Sequence, residues 1–178
     1  MYSVERLLRV SRGEEGAGST IDHPLEHLVA CHGRIEERLA TLERAGACLE
    51  SRTAEALDAI QSCLRYFETS GALHTADEEE SVFPRLRARL SPTERAEIEM
   101  LEMQHRDAEQ LYTALKQAVA RADAAQYRAA VERFAALYRA HIAFENRELI
   151  RVARRDLRPA DLAAITREMK SRRGLHRS

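Results

Sequence analysis

Four of the seven histidines in this 178-residue chain stand four residues ahead of a glutamate: His32 before Glu36, His74 before Glu78, His105 before Glu109 and His141 before Glu145. On an α-helix a step of four leaves the second side chain about 40° round from the first, one turn along the same face. An imidazole and a carboxylate placed that way are either a surface ion pair or two ligands for one cation. The neighbouring apolar residues decide between the two. Leu25, Leu28, Val29, Ile35 and Leu39 all fall within about 60° of His32 at 3.6 residues per turn. His74 shares its stripe with Ala56, Ile60, Cys63 and Phe67, His105 with Ile98 and Tyr112, and His141 with Phe134 and Leu137. Each of the four imidazoles therefore points inward. A buried imidazole beside a buried carboxylate is costly unless both are satisfied, and a cation takes neutral imidazole and ionised carboxylate together.

The remaining polar residues read differently. His23 and His27 are spaced as metal ligands can be, but fall on the face opposite His32 and are expected at the surface. Glu36 and Glu109 are expected at the exposed edges of their stripes. In Asp77-Glu78-Glu79-Glu80 only Glu78 is expected to face inward. Tyr112, Phe67 and Phe134 are expected in the core, and Cys31 is turned about 100° away from His32. His176 belongs to a basic tail.

These residues need elements to carry them, and the chain is built of helix formers with few β-branched residues. Residues 1–20 are expected to be a flexible N-terminal segment, with SRGEEGAGST over 11–20 holding three of the seven glycines and a short helix within 1–10. A domain over 21–178 follows. Its first helix runs from Pro24 into the 40s, and its second from about Thr53 towards Pro84. Ser91-Pro92-Thr93-Glu94 is a capping sequence that opens a third helix reaching about Arg121. Asp123 and Gln126 cap a fourth that runs to the low 150s. A short fifth begins near Pro159 and ends around Arg172 to Gly174. With turns near residues 52, 91 and 122, the four histidines fall within a few residues of one level. The expected fold is all-α: an up-down-up-down four-helix bundle with a short C-terminal fifth helix.

Composition excludes several classes. The charge of −1, from 28 basic and 29 acidic side chains, gives no net field for nucleic acid or an anionic membrane. The longest apolar run is Phe134–Tyr138, far short of a bilayer span. Three cysteines, Cys31, Cys48 and Cys63, form no close pair, which argues against a disulfide framework or thiolate zinc site. A cytoplasmic protein is expected, monomeric or weakly homo-oligomeric.

The series His32, then His74-Thr75-Ala76-Asp77-Glu78, then His105, then His141-Ile142-Ala143-Phe144-Glu145 resembles the hemerythrin-like family, in its branch called the HHE cation-binding domain. The surrounding segments DHPLEHLVACHGRIEERLATLE, HTADEEESVFPRL and the closing RRG at Arg172–Gly174 resemble the family too, so the likeness covers about residues 21 to 174. It implies a bundle enclosing two iron ions in an oxo- or hydroxo-bridged non-haem centre. His32, His74, His105 and His141 would be terminal ligands, and Glu78 and Glu145 would bridge. Leu101 and Glu109, rather than a second histidine, flank His105 at four residues. HxxxE also replaces the carriers' aspartate five residues after histidine. This departs from the dedicated oxygen carriers and leaves coordination positions open, to water or a small ligand unless Glu36, Glu109 or a tyrosine fills one. The function implied is binding, sensing or reaction with dioxygen, nitric oxide or peroxide. The alternative is a helical interaction module built round a structural zinc or other divalent ion.

Overall fold

The computed structural model describes residues 21–51 and 53–175, all of whose regular structure is helical. The lead-in expected over 1–20, the short helix within it and His176 lie outside the described residues. Helix α1 is Pro24–Cys48. Helix α2 covers 53–87 and is not uniformly wound: Thr53–Tyr66, Ala72–Ala76 and Phe83–Arg87 are α-helical, while Phe67–Gly71 and Asp77–Val82 are π turns. Helix α3 is Pro92–Ala120. Helix α4 covers 124–156, with a π turn at Glu145–Leu149 between Ala124–Phe144 and Ile150–Asp156. Helix α5 is Pro159–Arg172. No helix among the described residues is long and apolar enough to cross a membrane.

The local signals act as expected at the starts. Ser91 Oγ accepts from Glu94 N while the Glu94 carboxylate accepts from Ser91 N, a reciprocal capping box with Pro92 at the first helical position. The Asp123 carboxylate accepts from Gln126 N at 2.9 Å. Gly46 does not end α1; it lies inside the helix, where an added Cβ would stand 2.9 Å from the Tyr127 ring. That close approach lets the Tyr127 hydroxyl donate to Leu42 O at 3.0 Å and ties α4 to α1.

Helix α1 packs against α2 and α4, α3 packs against α4, and α5 lies on α1 and on the π turn Asp77–Val82. The buried apolar side chains form two clusters. One gathers Leu28, Phe83, Leu86, Leu101, Ile150, Ile165 and Met169. The other gathers Ile35, Leu39, Ile60, Leu115, Tyr127 and Phe134. Along α1 the boundary between them falls at His32, and along α3 at His105. The histidine level is thus a polar layer between two apolar ones.

Two expectations about α1 are corrected here. His27 is buried, 2% exposed, because α5 covers the face that a single-stripe reading leaves to solvent. Val29, counted in the stripe, is 40% exposed: it sits on the stripe's edge, beyond the reach of α2 and α4.

Candidate metal centre

The six side chains expected to bind a cation come together in this layer. His32, His74, Glu78 and Glu145 form one group, and Glu78, His105, His141 and Glu145 a second; within each, one ligand atom per residue lies within 4.8 Å of the others. The two carboxylates belong to both groups. Glu145 Oε2 lies 3.1 Å from His32 Nε2 and its Oε1 3.1 Å from His141 Nε2. Glu78 Oε1 lies 3.3 Å from His74 Nε2 and its Oε2 3.4 Å from His105 Nε2.

Glu78 and Glu145 arrive here while Glu36 and Glu109 do not, and the two that do are the ones found at the start of π turns. All four follow a histidine by four residues. The step from histidine to carboxylate is α-wound, with Glu145 N on His141 O and Asp77 N on Leu73 O, and the wider π winding runs on from the carboxylates. Glu145 opens one π turn and Glu78 is second in another, and both are fully buried. On the regularly wound α1, Glu36 instead meets Arg139 Nε at 3.3 Å. Glu109, on α3, is exposed.

Four carboxylate oxygens and His32 Nε2 are buried without a directed hydrogen bond. Their spacing suits another role: bonds of about 2.0–2.2 Å to one ion put neighbouring donors about 3 Å apart. The electrostatics agree. Burial would raise the Glu78 carboxyl, yet His74, His105 and His32 hold it well below the usual carboxylate range. Burial and the Glu78 charge push Glu145 up, but His141 and His32 keep it below its usual value. Burial works against a charged His32, and the two glutamates nonetheless raise it to about 10. His105, against the same opposing burial, is raised to about 9 by Glu78 and Glu79. The carboxylates are thus a concentrated negative charge that takes up protons where no cation sits. His74 goes the other way, lowered by its burial.

Outer partners aim the rings. The Nδ1 of His32 lies 2.7 Å from Asn146 Oδ1, that of His105 2.8 Å from Glu79 Oε1, and that of His141 2.8 Å from Gln104 Oε1. An acceptor at Nδ1 fixes the proton there and turns the Nε2 lone pair inward, as metal-ligating imidazoles require. His105 Nε2 and His141 Nε2 then oppose one another at 3.1 Å, which calls for a proton or a cation between them. Phe83 stacks on the His105 ring at 6.2 Å and 10°.

A model of the hemerythrin HHE cation binding domain matches residues 23–153. The chain belongs to this family. An "Uncharacterized protein" of Haemophilus influenzae (strain ATCC 51907 / DSM 11121 / KW20 / Rd) is 29% identical over 161 residues, covering 87% of this chain and 92% of the relative. The match takes in every residue of both His/Glu groups and stops short of α5.

The HHE domain also contains functional neighbours that a single-stripe reading misses. Glu79, Gln104 and Asn146 each sit next in sequence to a member of the centre, and a polar residue in that position swings about 100° toward the ligand of an adjoining helix. That adjacency was the available signal. Asp77, expected on a solvated face with Glu79 and Glu80, is fully buried and paired with Arg172 and Arg173. Tyr112, expected in the core, is half-buried; its hydroxyl donates to Leu64 O at 3.0 Å. With Glu79, His105, Arg106, Glu109 and Tyr138 it lines a cavity of ≈ 370 Å³ that reaches the centre from between α2, α3 and α4. Burial pushes the Tyr138 phenol up, reinforced by the charges of Glu78 and Glu145.

Proposed function

We propose that this chain is a cytoplasmic non-haem di-iron protein that binds, senses or reacts with a small oxidant: dioxygen, nitric oxide or peroxide. The observation that carries the reading is the pair of His/Glu groups sharing Glu78 and Glu145. His32 and His74 would hold one ion, His105 and His141 the other, and the two carboxylates both. Four donors per position leave a six-coordinate ion room for a small ligand. When bound, iron would supply Lewis acidity and one-electron redox chemistry.

The chain's own residues serve that chemistry in definite ways. Asn146, Glu79 and Gln104 fix the ring tautomers. The apolar clusters on either side keep bulk water from the layer. The cavity along His105 gives a diatomic molecule or peroxide an approach that a purely structural ion does not need. The site would sit in an up-down-up-down bundle. Contacts Glu26–Arg154, His32–Asn146 and Leu42–Tyr127 run in opposite chain directions along α1 and α4 and support that topology.

The test is elemental analysis of the purified protein by plasma mass spectrometry, with an absorption spectrum of the same sample. Two irons per chain with near-ultraviolet charge-transfer bands that respond to dioxygen, nitric oxide or peroxide is the expected outcome. Zinc, or no metal after anaerobic iron loading, would replace this reading with the helical interaction module.

A further inference from the structure

Helix α5 lies beyond the matched segment, yet it reaches the centre through one fully buried carboxylate. Asp77 precedes Glu78 on the π turn Asp77–Val82. The Arg173 guanidinium spans both of its oxygens, Nη1 to Oδ1 at 3.1 Å and Nη2 to Oδ2 at 2.7 Å, and Arg172 Nε adds a bond to Oδ1 at 2.9 Å. Arg172 also donates to Ser81 Oγ and, at 3.2 Å, to Glu80 Oε2. One residue class from one helix end thus grips positions 77, 80 and 81 of the turn that carries Glu78.

The end of α5 is shaped for this. Leu175 N bonds Lys170 O at 2.9 Å and Gly174 N bonds Ser171 O at 3.0 Å, with Gly174 at φ +66°. That is a Schellman ending, for which glycine is suited. It stops the helix directly after the two arginines, and Arg173 Nη1 is further fixed by Met169 O at 3.0 Å. The closing Arg-Arg-Gly sequence therefore has a physical reading: two forks and the turn that presents them. The π turn at Glu145–Leu149 is held differently, by Asn146 reaching His32 from inside the bundle.

We propose that Arg172 and Arg173 are positioning residues for Glu78. By holding Asp77 they fix the π turn, and so the place of the shared carboxylate and the affinity of the centre. The affinity consequence rests on the proposed iron site; the grip on the turn does not. The competing account is that the arginines merely anchor α5. Met169, fully buried under α5, separates the two, because Met169→Ala loosens the helix and leaves the forks in place.

The experiment compares the full chain with Arg172→Gln/Arg173→Gln, Arg173→Lys and Met169→Ala. Amide hydrogen exchange is read on the metal-free proteins, and ferrous-iron affinity by competition with a chelator. The double variant is expected to speed exchange over 77–82 on the order of tenfold relative to 145–149. It is also expected to weaken iron binding about 10- to 100-fold. Arg173→Lys, keeping the charge without the fork, should recover part of both. Met169→Ala should lower the melting temperature while leaving the exchange ratio and affinity unchanged. Should the double variant not fold, Asp77→Asn/Arg173→Gln removes both charges of the fork pair and takes its place. Equal effects from Met169→Ala, or none from the arginine variants, overturn the proposal. Faster exchange over 77–82 in a chain whose parent binds no iron supports the grip and overturns the iron reading instead.

Discussion

Glu78 and Glu36 share a sequence context and differ in what they touch, which makes them the sharpest pair for a substitution experiment. Glu78 is fully buried among His32, His74 and His105, whereas Glu36 faces Arg139 at the surface of α1. Glu78→Ala is expected to cost far more bound metal than Glu36→Ala. His74→Ala and His141→Ala should each lose at least one ion per chain, and exposed His23 should be replaceable by Ala without loss. Metal analysis of the five variants decides this, and equal loss from His23→Ala would sink the assignment. His27 makes a separate prediction. Burial, then the Arg173 charge, lowers it from 6.5 to about 4, with Arg34 and His74 adding to the effect and Asp77 opposing it. The folded state therefore resists a proton that the unfolded chain accepts. Its contribution to stability is complete above pH 6.5 and is lost as pH falls towards 4, by about 3 kcal/mol in all. Urea unfolding over that range should show wild type losing about that much more stability than His27→Gln; parallel curves would clear His27 of the effect.

At the scale of elements, two helix ends of the same form carry different residues. Helix α3 closes with Asp123 N on Ala118 O and Ala122 N on Val119 O, and Ala122 takes φ +53° at the position Gly174 occupies after α5. An L side chain in that region costs about 1–2 kcal/mol. Ala122→Gly should stabilise the fold by about 0.5–1 kcal/mol after the entropy cost of glycine. Gly174→Ala, whose Cβ meets no atom within 4 Å, should destabilise through the backbone alone, by about 1 kcal/mol. Chemical denaturation of both variants checks the opposite signs. Much at this scale was legible: the Ser91 box, the Asp123 cap and the stripes that turn four histidines inward are all local patterns. The π turns were not, because a single widened turn leaves no mark in a 3.6-residue apolar periodicity. Nor was the second buried face of α1, which exists only because α5 folds back over His27. Sequence periodicity reports one face per helix, so a fifth helix laid on the outside of a bundle leaves its partners' polar residues looking solvated. Asp77 and His27 were misread for this one reason.

Across the whole molecule, the polar layer separates two apolar clusters that would otherwise be one core. Such a layer weakens a small bundle unless something joins its halves. Four of its buried carboxylate oxygens make no directed hydrogen bond, and proton uptake by His32 and His105 is the compensation available without a cation. A cation bound only by the folded chain replaces that compensation and links α1, α2, α3 and α4 through one centre. Binding of this kind stabilises by mass action, about 2.7 kcal/mol at a free concentration 100 times Kd. For a chain of this size that corresponds to a rise of about 5–10 °C in melting temperature. Chelator-stripped protein, reloaded anaerobically with ferrous iron, should recover that rise in a calorimetric melt, and His74→Ala should recover much less of it. A surface-bound ion would bind outside the layer and shift wild type and variant equally. The difference between the two melts, rather than the size of either, therefore reports whether the cation joins the halves of the core.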